Sequence, residues 1–101
     1  MYVKYKADFN VFYSEFIRKG RKHFSEFAVE KIFEYLTMVE EHIGEEVEVD
    51  VHEIEKVWEE FRNITEYNAR HGEAWSNAGE LLASADNVYL LDNGNILKGV
   101  F

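Results

Sequence analysis

Near its end the sequence runs Val88-Tyr89-Leu90-Leu91, then Asp92-Asn93-Gly94-Asn95, then Ile96 to Phe101. Asn-Gly between two apolar runs is the strongest short-range signal for a β-hairpin, because both residues tolerate the left-handed backbone of a tight reversal. A two-residue turn at Asn93 and Gly94 pairs Leu91 with Ile96, Leu90 with Leu97 and Tyr89 with Lys98. That register predicts one face carrying Val88, Leu90, Leu97 and Phe101, packed on helices. Two strands alone are marginal in water, so the hairpin demands a third strand and a helical cover.

Residues 1 to 6 offer the third strand, since Tyr2, Lys4 and Lys6 alternate with Val3 and Tyr5 as an edge strand would. The helices follow. Asp8 stands at an N-cap position before Phe9, Phe12, Tyr13, Phe16 and Ile17, whose spacing predicts a first helix that stops at Gly20. Ser25 opens a second, with Ala28, Ile32, Tyr35, Leu36, Val39 and Ile43 as its apolar stripe and Gly44 as its stop. Valines at 47, 49 and 51 leave room for a brief strand. Asp50 and Glu53 then have capping-box form ahead of Ile54, Val57, Trp58 and Phe61, which predicts a third helix from 51 to about 62. From Asn63 to Gly72 the pattern weakens, with Glu66 and Arg70 able to support a turn or two. A short helix is expected around 76 to 84, with Leu81 and Leu82 inward. The expected fold is α+β, a single domain over residues 1–101: three main helices packed on a small antiparallel sheet made of the N-terminal strand plus the C-terminal hairpin.

Hydrophobic residues make up 47% of the 101 and aromatics 16%, so a core can be built from few, large side chains and disorder is excluded as the main state. There is no cysteine, which removes disulfides, thiol nucleophiles, Cys-based zinc sites and iron–sulfur ligation. No proline marks a linker, and no repeat or low-complexity segment occurs. Apolar runs fall far short of a membrane span, and Tyr2-Val3-Lys4-Tyr5-Lys6 after Met1 is unlike a signal peptide, so the expectation is a soluble, cytoplasmic protein.

Charge is the most uneven property. Residues 1 to 39 balance at +2, whereas residues 40 to 60 hold ten acids against Lys56 and so match the whole chain's net charge of −9. Asp50 and Glu53 suit a helix N-terminus, Glu59 can reach Arg62, and Lys56 can reach Glu60. Local helix stability accounts for those four acids. Glu40 and Glu41 fall in the last turn of the second helix, where the dipole disfavours anions by roughly 0.3–1 kcal/mol each. Glu45, Glu46 and Glu48 add repulsion with no basic neighbour in sequence.

Two readings of this acidic belt stay open: a solvated, solubilising surface, or one that docks on a basic protein groove built for nucleic acid. Five acids over residues 50 to 60 of a helix rising ~1.5 Å per residue place one charge per ~3 Å, near the ~3.4 Å per phosphate of one DNA strand. The candidate partner-binding residues are Glu40, Glu41, Glu45, Glu46, Glu48, Asp50, Glu55 and Glu59. Arg18, Lys19, Arg21 and Lys22 form a secondary basic patch. Basic residues suit a helix C-terminus, and the net charge opposes direct nucleic-acid binding. The patch is free to meet the acidic belt of the same or a second copy.

Catalytic motifs are weak or missing. His52-Glu53-Ile54-Glu55-Lys56 starts like the HExxH helix of zinc proteases but has Lys where the second histidine ligand belongs. His23, His42, His52 and His71 never fall three or four apart, so they do not form a ligand pair on one helix face. Asp92 to Asn95 lacks the later acid of a calcium loop. There is no GxSxG and no phosphate-cradling glycine loop. The expectation is a non-enzyme with no cofactor and no metal. The aromatic stripes are read as core, and Trp75 as either a loop anchor or an interface residue. Asn63-Ile64-Thr65 is a glycosylation sequon by pattern alone.

The stretch from Phe24-Ser25 to Val51, with Ile32-Phe33-Glu34-Tyr35-Leu36, Glu40-Glu41 and Gly44-Glu45-Glu46-Val47-Glu48-Val49-Asp50-Val51, resembles a group of small acidic proteins carried by phages and plasmids. The ending from Leu91 to Phe101 resembles theirs too. The departure is His52-Glu53-Ile54-Glu55-Lys56-Val57-Trp58, where that group has a more apolar, Cys-containing run. The resemblance implies a mobile-element protein that binds and blocks host machinery, as anti-CRISPR and antirestriction inhibitors do, in the cytoplasm of a bacterial host. It implies no active site. The expected partner is a host protein or nucleoprotein complex with a basic groove, with no direct nucleic-acid or membrane binding. The alternative is a structural or assembly module, a homodimer or larger, that self-associates through complementary charged patches.

Overall fold

A computed structural model describes residues 9–48 and 50–100. Among them are five helices and a three-stranded antiparallel sheet, an α+β arrangement: α1 (Phe9–Lys19), α2 (Glu26–Ile43), α3 (Val51–Val57), β1 (Trp58–Phe61), α4 (Ile64–His71), α5 (Ala78–Ser84), β2 (Val88–Leu90) and β3 (Ile96–Gly99). The chain divides into two compact units, residues 1–56 and 57–101. The expected strand over residues 1–6 and the Asp8 cap lie outside the described residues, as do Val49 and Phe101.

In the first unit α1 and α2 meet through aromatic rings. Phe33 takes Phe9 and Phe12 edge-on at 5.4 and 5.2 Å, and Phe16 meets Phe24 at 6.0 Å. The Ser25 hydroxyl accepts the Ala28 N–H at the start of α2, and the Gly44 N–H closes its end on the Glu40 carbonyl. Both boundaries match the spacing in the sequence. The inward stripe of α2 is rotated from expectation: Val29, Ile32 and Phe33 are buried with Ala28, whereas Ile43 is exposed. Ile17 of α1 is exposed as well. The buried face is centred nearer Phe33, leaving Tyr35, Leu36 and Val39 half-buried, and Ile43, three turns beyond buried Ile32 on the same face, is exposed at the last position of the helix.

The turn after α1 has no room for a side chain at Gly20. A Cβ there would stand 2.4 Å from the Phe16 carbonyl oxygen, which instead accepts the Gly20 N–H at 2.9 Å.

The second unit holds the sheet, in the order β1-β3-β2. The strand Trp58–Phe61 corrects the expectation of a third helix running from 51 to about 62, because that helix stops at Val57. Periodicity could not separate these states over four residues, since Trp58 and Phe61 fit both a helical stripe and the two faces of a strand. The open edge of β3 decides, by offering ladder hydrogen bonds that pair Trp58 with Gly99 and Phe61 with Ile96.

The hairpin exists, but its register is shifted by one residue. Leu90 pairs with Ile96, Tyr89 with Leu97 and Val88 with Lys98. The loop is the three residues Asp92-Asn93-Gly94: the Gly94 N–H bonds the Leu91 carbonyl, the Leu91 N–H bonds the Asn95 carbonyl, and Gly94 takes φ 86°. A type I turn followed by a left-handed glycine is the next most common hairpin after the two-residue turn. One residue of slip exchanges the faces. Val88, Ile96 and Phe61 therefore share the face that packs with Tyr67 of α4 and Leu81 of α5, while Leu97 lies on the opposite face and Leu90 is exposed.

Both later helices are capped by asparagine, whose side chains accept the Glu66 N–H at Asn63 and the Glu80 N–H at Asn77. The weakly patterned stretch after Asn63 is thus a helix of eight residues. Trp75 is a loop anchor. It packs against the sheet core, and the Asn68 amide bonds both its backbone N–H, at 3.1 Å, and its carbonyl, at 2.9 Å.

Candidate partner-binding surface

The eight acids singled out in the sequence separate into two kinds. Glu40, Glu55 and Glu59 are engaged within the protein, which corrects their assignment to one exposed belt.

Glu40 is buried near the end of α2, and its Oε2 accepts the Val47 N–H at 2.6 Å. This bond folds the connector back on the helix, so Glu40 has a local structural role that its place in the last turn concealed. Its other oxygen, Oε1, is buried and has no hydrogen-bond partner among the described residues.

Glu55 is buried in α3. Its Oε2 accepts the N–H groups of Arg21 and Lys22 at 2.7 and 2.5 Å, and Oε1 lies 3.3 Å from the His52 Nδ1. Burial works to raise its pKa, but the Lys22 and Arg21 amides and His52 together outweigh it and hold the carboxyl below the ordinary value. The segment that opens like a zinc helix therefore serves as a clamp, with His52 on the same carboxylate.

Glu59, on β1, ion-pairs with Arg70 Nε at 3.2 Å and lies 3.6 Å from His71 Nε2, both from the last turn of α4. It does not pair with Arg62 as its spacing implied. Lys56 pairs with Glu53 at 3.1 Å, and the Glu60 carboxylate accepts from the Asn95 side-chain amide at 2.8 Å.

The remaining acids, Glu41, Glu45, Glu46, Glu48 and Asp50, are exposed. All lie within ten residues at the end of α2 and in the connector to α3. Asp50 accepts the His52 N–H and caps α3. Among the described residues no lysine or arginine pairs with Glu41, Glu45, Glu48 or Asp50.

A concavity of about 320 Å³ opens at this end of α2, lined by Thr37, Glu40, Glu41, Gly44, Glu45 and Glu46. A second, of about 380 Å³, shares Thr37 and Glu41 and continues along α2 past Phe33, Met38, Glu30 and Glu34 to Phe9. No group of three or more acidic or histidine side chains among the described residues converges as a metal site requires. Sequence reasoning did not single out Thr37, whose hydroxyl donates to the Phe33 carbonyl at 2.9 Å. It lies on the buried side of α2 beside the acids and carries no charge to draw notice.

The basic patch is partly spent. Arg18 and Lys19 both pair with Glu15 on α1, and the Lys19 hydrogen bond leads in lowering the Glu15 pKa. Arg21 and Lys22 are exposed but give their backbone amides to Glu55.

No family model, curated protein or solved structure matches this chain. No helix among the described residues is long and apolar enough to cross a membrane.

Proposed function

We propose that the protein is a non-enzymatic inhibitor of mobile-element origin that docks the acidic surface around Glu41, Glu45, Glu48 and Asp50 on the basic groove of a host nucleic-acid-binding defence complex and excludes the nucleic acid. It acts in the bacterial cytoplasm. The observation that carries this reading is the set of exposed carboxylates at the end of α2 and in the connector, four of which have no basic partner among the described residues. An anion in the last turn of a helix opposes the helix dipole, and like charges close in sequence repel. A basic partner relieves both costs, and long-range attraction to it speeds encounter.

The test is capture of the tagged protein's partners from bacterial lysate at low and high salt, with mass spectrometry, beside the variant Glu41→Lys/Glu45→Lys/Glu48→Lys. A nucleic-acid-binding complex is expected at low salt, lost when the screening length shrinks from about 10 Å toward 3 Å and lost in the variant, whose circular dichroism is unchanged. Equal capture by the variant overturns the reading. Self-association through the basic patch has less support, because Arg18 and Lys19 are paired on their own helix.

A further inference from the structure

The outward face of α2 is partly apolar. Phe27 and Met38 are 44% and 55% exposed, and on a helix of 3.6 residues per turn they share an arc of about 60° with Lys31 and Glu34. Beside Met38 opens the concavity of about 380 Å³, whose apolar wall is Phe9, Phe33 and Met38. One face thus presents both a half-exposed aromatic ring and an apolar hollow. Within one copy the two stay apart, because Phe27 and Met38 are separated by about 16 Å along the helix axis.

We infer that this face of α2 is a contact between two copies of the chain, packed antiparallel about a two-fold axis, with Phe27 of each copy seated against Met38 at the mouth of the other's hollow. The midpoint between Phe27 and Met38 is also the midpoint between Lys31 and Glu34, halfway from Ile32 to Phe33. The reversal that brings Phe27 to Met38 therefore brings Lys31 to Glu34, once on each side of the axis. Within a copy Lys31 Nζ already lies 3.3 Å from Glu34 Oε2, an exposed pair worth little by itself. Between copies the lysines and glutamates alternate, so each charge gains an opposite neighbour, and the apolar contacts on either side keep water from screening it. The same register sets Glu30 level with Tyr35 and Glu41 level with Phe24, so no acid of this face stands opposite another. That decides the pairing in a chain of net charge −9, for which most face-to-face contacts are repulsive. Aromatic anchors seated in apolar pockets carry most of the energy of such contacts. The contact uses neither the basic patch nor Glu45, Glu48 and Asp50, so it goes beyond the docking reading and does not depend on it.

The test is sedimentation equilibrium of the whole chain over a range from about 1 μM to about 1 mM. The mass is expected to rise from that of one chain to that of two, and Phe27→Ser to weaken the association by about tenfold or more. Lys31→Glu and Glu34→Lys are each expected to stay monomeric where the unmodified chain is dimeric, since each sets like charges across the axis. Mixed in equal amounts, the two variants are expected to restore the dimer, because every contact between positions 31 and 34 then joins opposite charges. The substituted side chains lie on the outer face of α2, so the circular dichroism of each variant is expected to match the unmodified chain. A single-chain mass throughout, a Phe27→Ser variant that associates as the unmodified chain does, or a mixture that stays monomeric each overturns the inference.

Discussion

The Val47 amide donates to the Glu40 carboxylate at 2.6 Å, tying the acidic connector to the helix it has just left. Glu40→Ala removes this acceptor and is expected to lower unfolding stability by about 1–3 kcal/mol. Chemical denaturation measures the loss, and faster hydrogen exchange at Val47 locates it.

Glu55 predicts the acid limb of the stability curve. Its folded pKa lies below the ordinary value, so the stabilisation is fully present above the unfolded-state pKa and is lost as pH falls through the folded one. Glu55→Gln is expected to flatten the fall in stability below about pH 4.5. Glu55→Ala is expected to cost about 1.5–3 kcal/mol at neutral pH, the range for hydrogen bonds to a charged group. Denaturation at a series of pH values checks both, and a parallel acid limb in Glu55→Gln would remove Glu55 as its source.

Gly94 closes the hairpin at φ 86° with open space where a Cβ would stand, so the cost of a side chain there is conformational and not steric. Gly94→Ala is expected to lower the stability of the protein by about 1 kcal/mol, and Gly94→Asn by less, because asparagine enters the left-handed region more readily. Thermal unfolding of the two variants ranks them.

Asn68 holds Trp75 by both its backbone N–H and its carbonyl. Asn68→Ala is expected to cost about 1–3 kcal/mol and to move the Trp75 emission to longer wavelength as the loop loosens. Fluorescence measured against Trp75→Phe, in which only Trp58 emits, isolates that shift.

Phe61 is 5% exposed and joins the sheet to Tyr67 of α4 at 5.1 Å. Phe61→Ala is expected to cost about 3–5 kcal/mol, read by denaturation, with increased exchange at the β1 and β3 amides. An effect confined to β1 would mean that this strand frays independently of the rest of the sheet.

Much of the helical layout was legible because helix ends are local chemistry. Ser25 and Gly44 bound α2 through bonds made within a few residues, so reading them needed no tertiary information. The stretch 63–84 was harder, since Asn63 and Asn77 cap helices whose apolar faces are only a few residues wide. The acidic site was legible as composition and misread as surface. Charge counts find Glu40, Glu55 and Glu59, but only burial and partners separate them from Glu41, Glu45 and Glu48.

By itself, then, the sequence determined where α2 begins and ends, that the chain reverses around Asn93 and Gly94, and that its negative charge gathers between residues 40 and 60, because these follow from neighbours along the chain. Tertiary structure decided that Trp58–Phe61 is a strand, that the hairpin slips by one residue, and that Glu40 and Glu55 turn inward. Each of those choices is settled by a group distant in sequence or in another element: the open edge of β3, the face that α4 and α5 cover, and backbone N–H groups that need an acceptor. Local preference is nearly degenerate at these positions, and unmade hydrogen bonds and exposed apolar area break the tie.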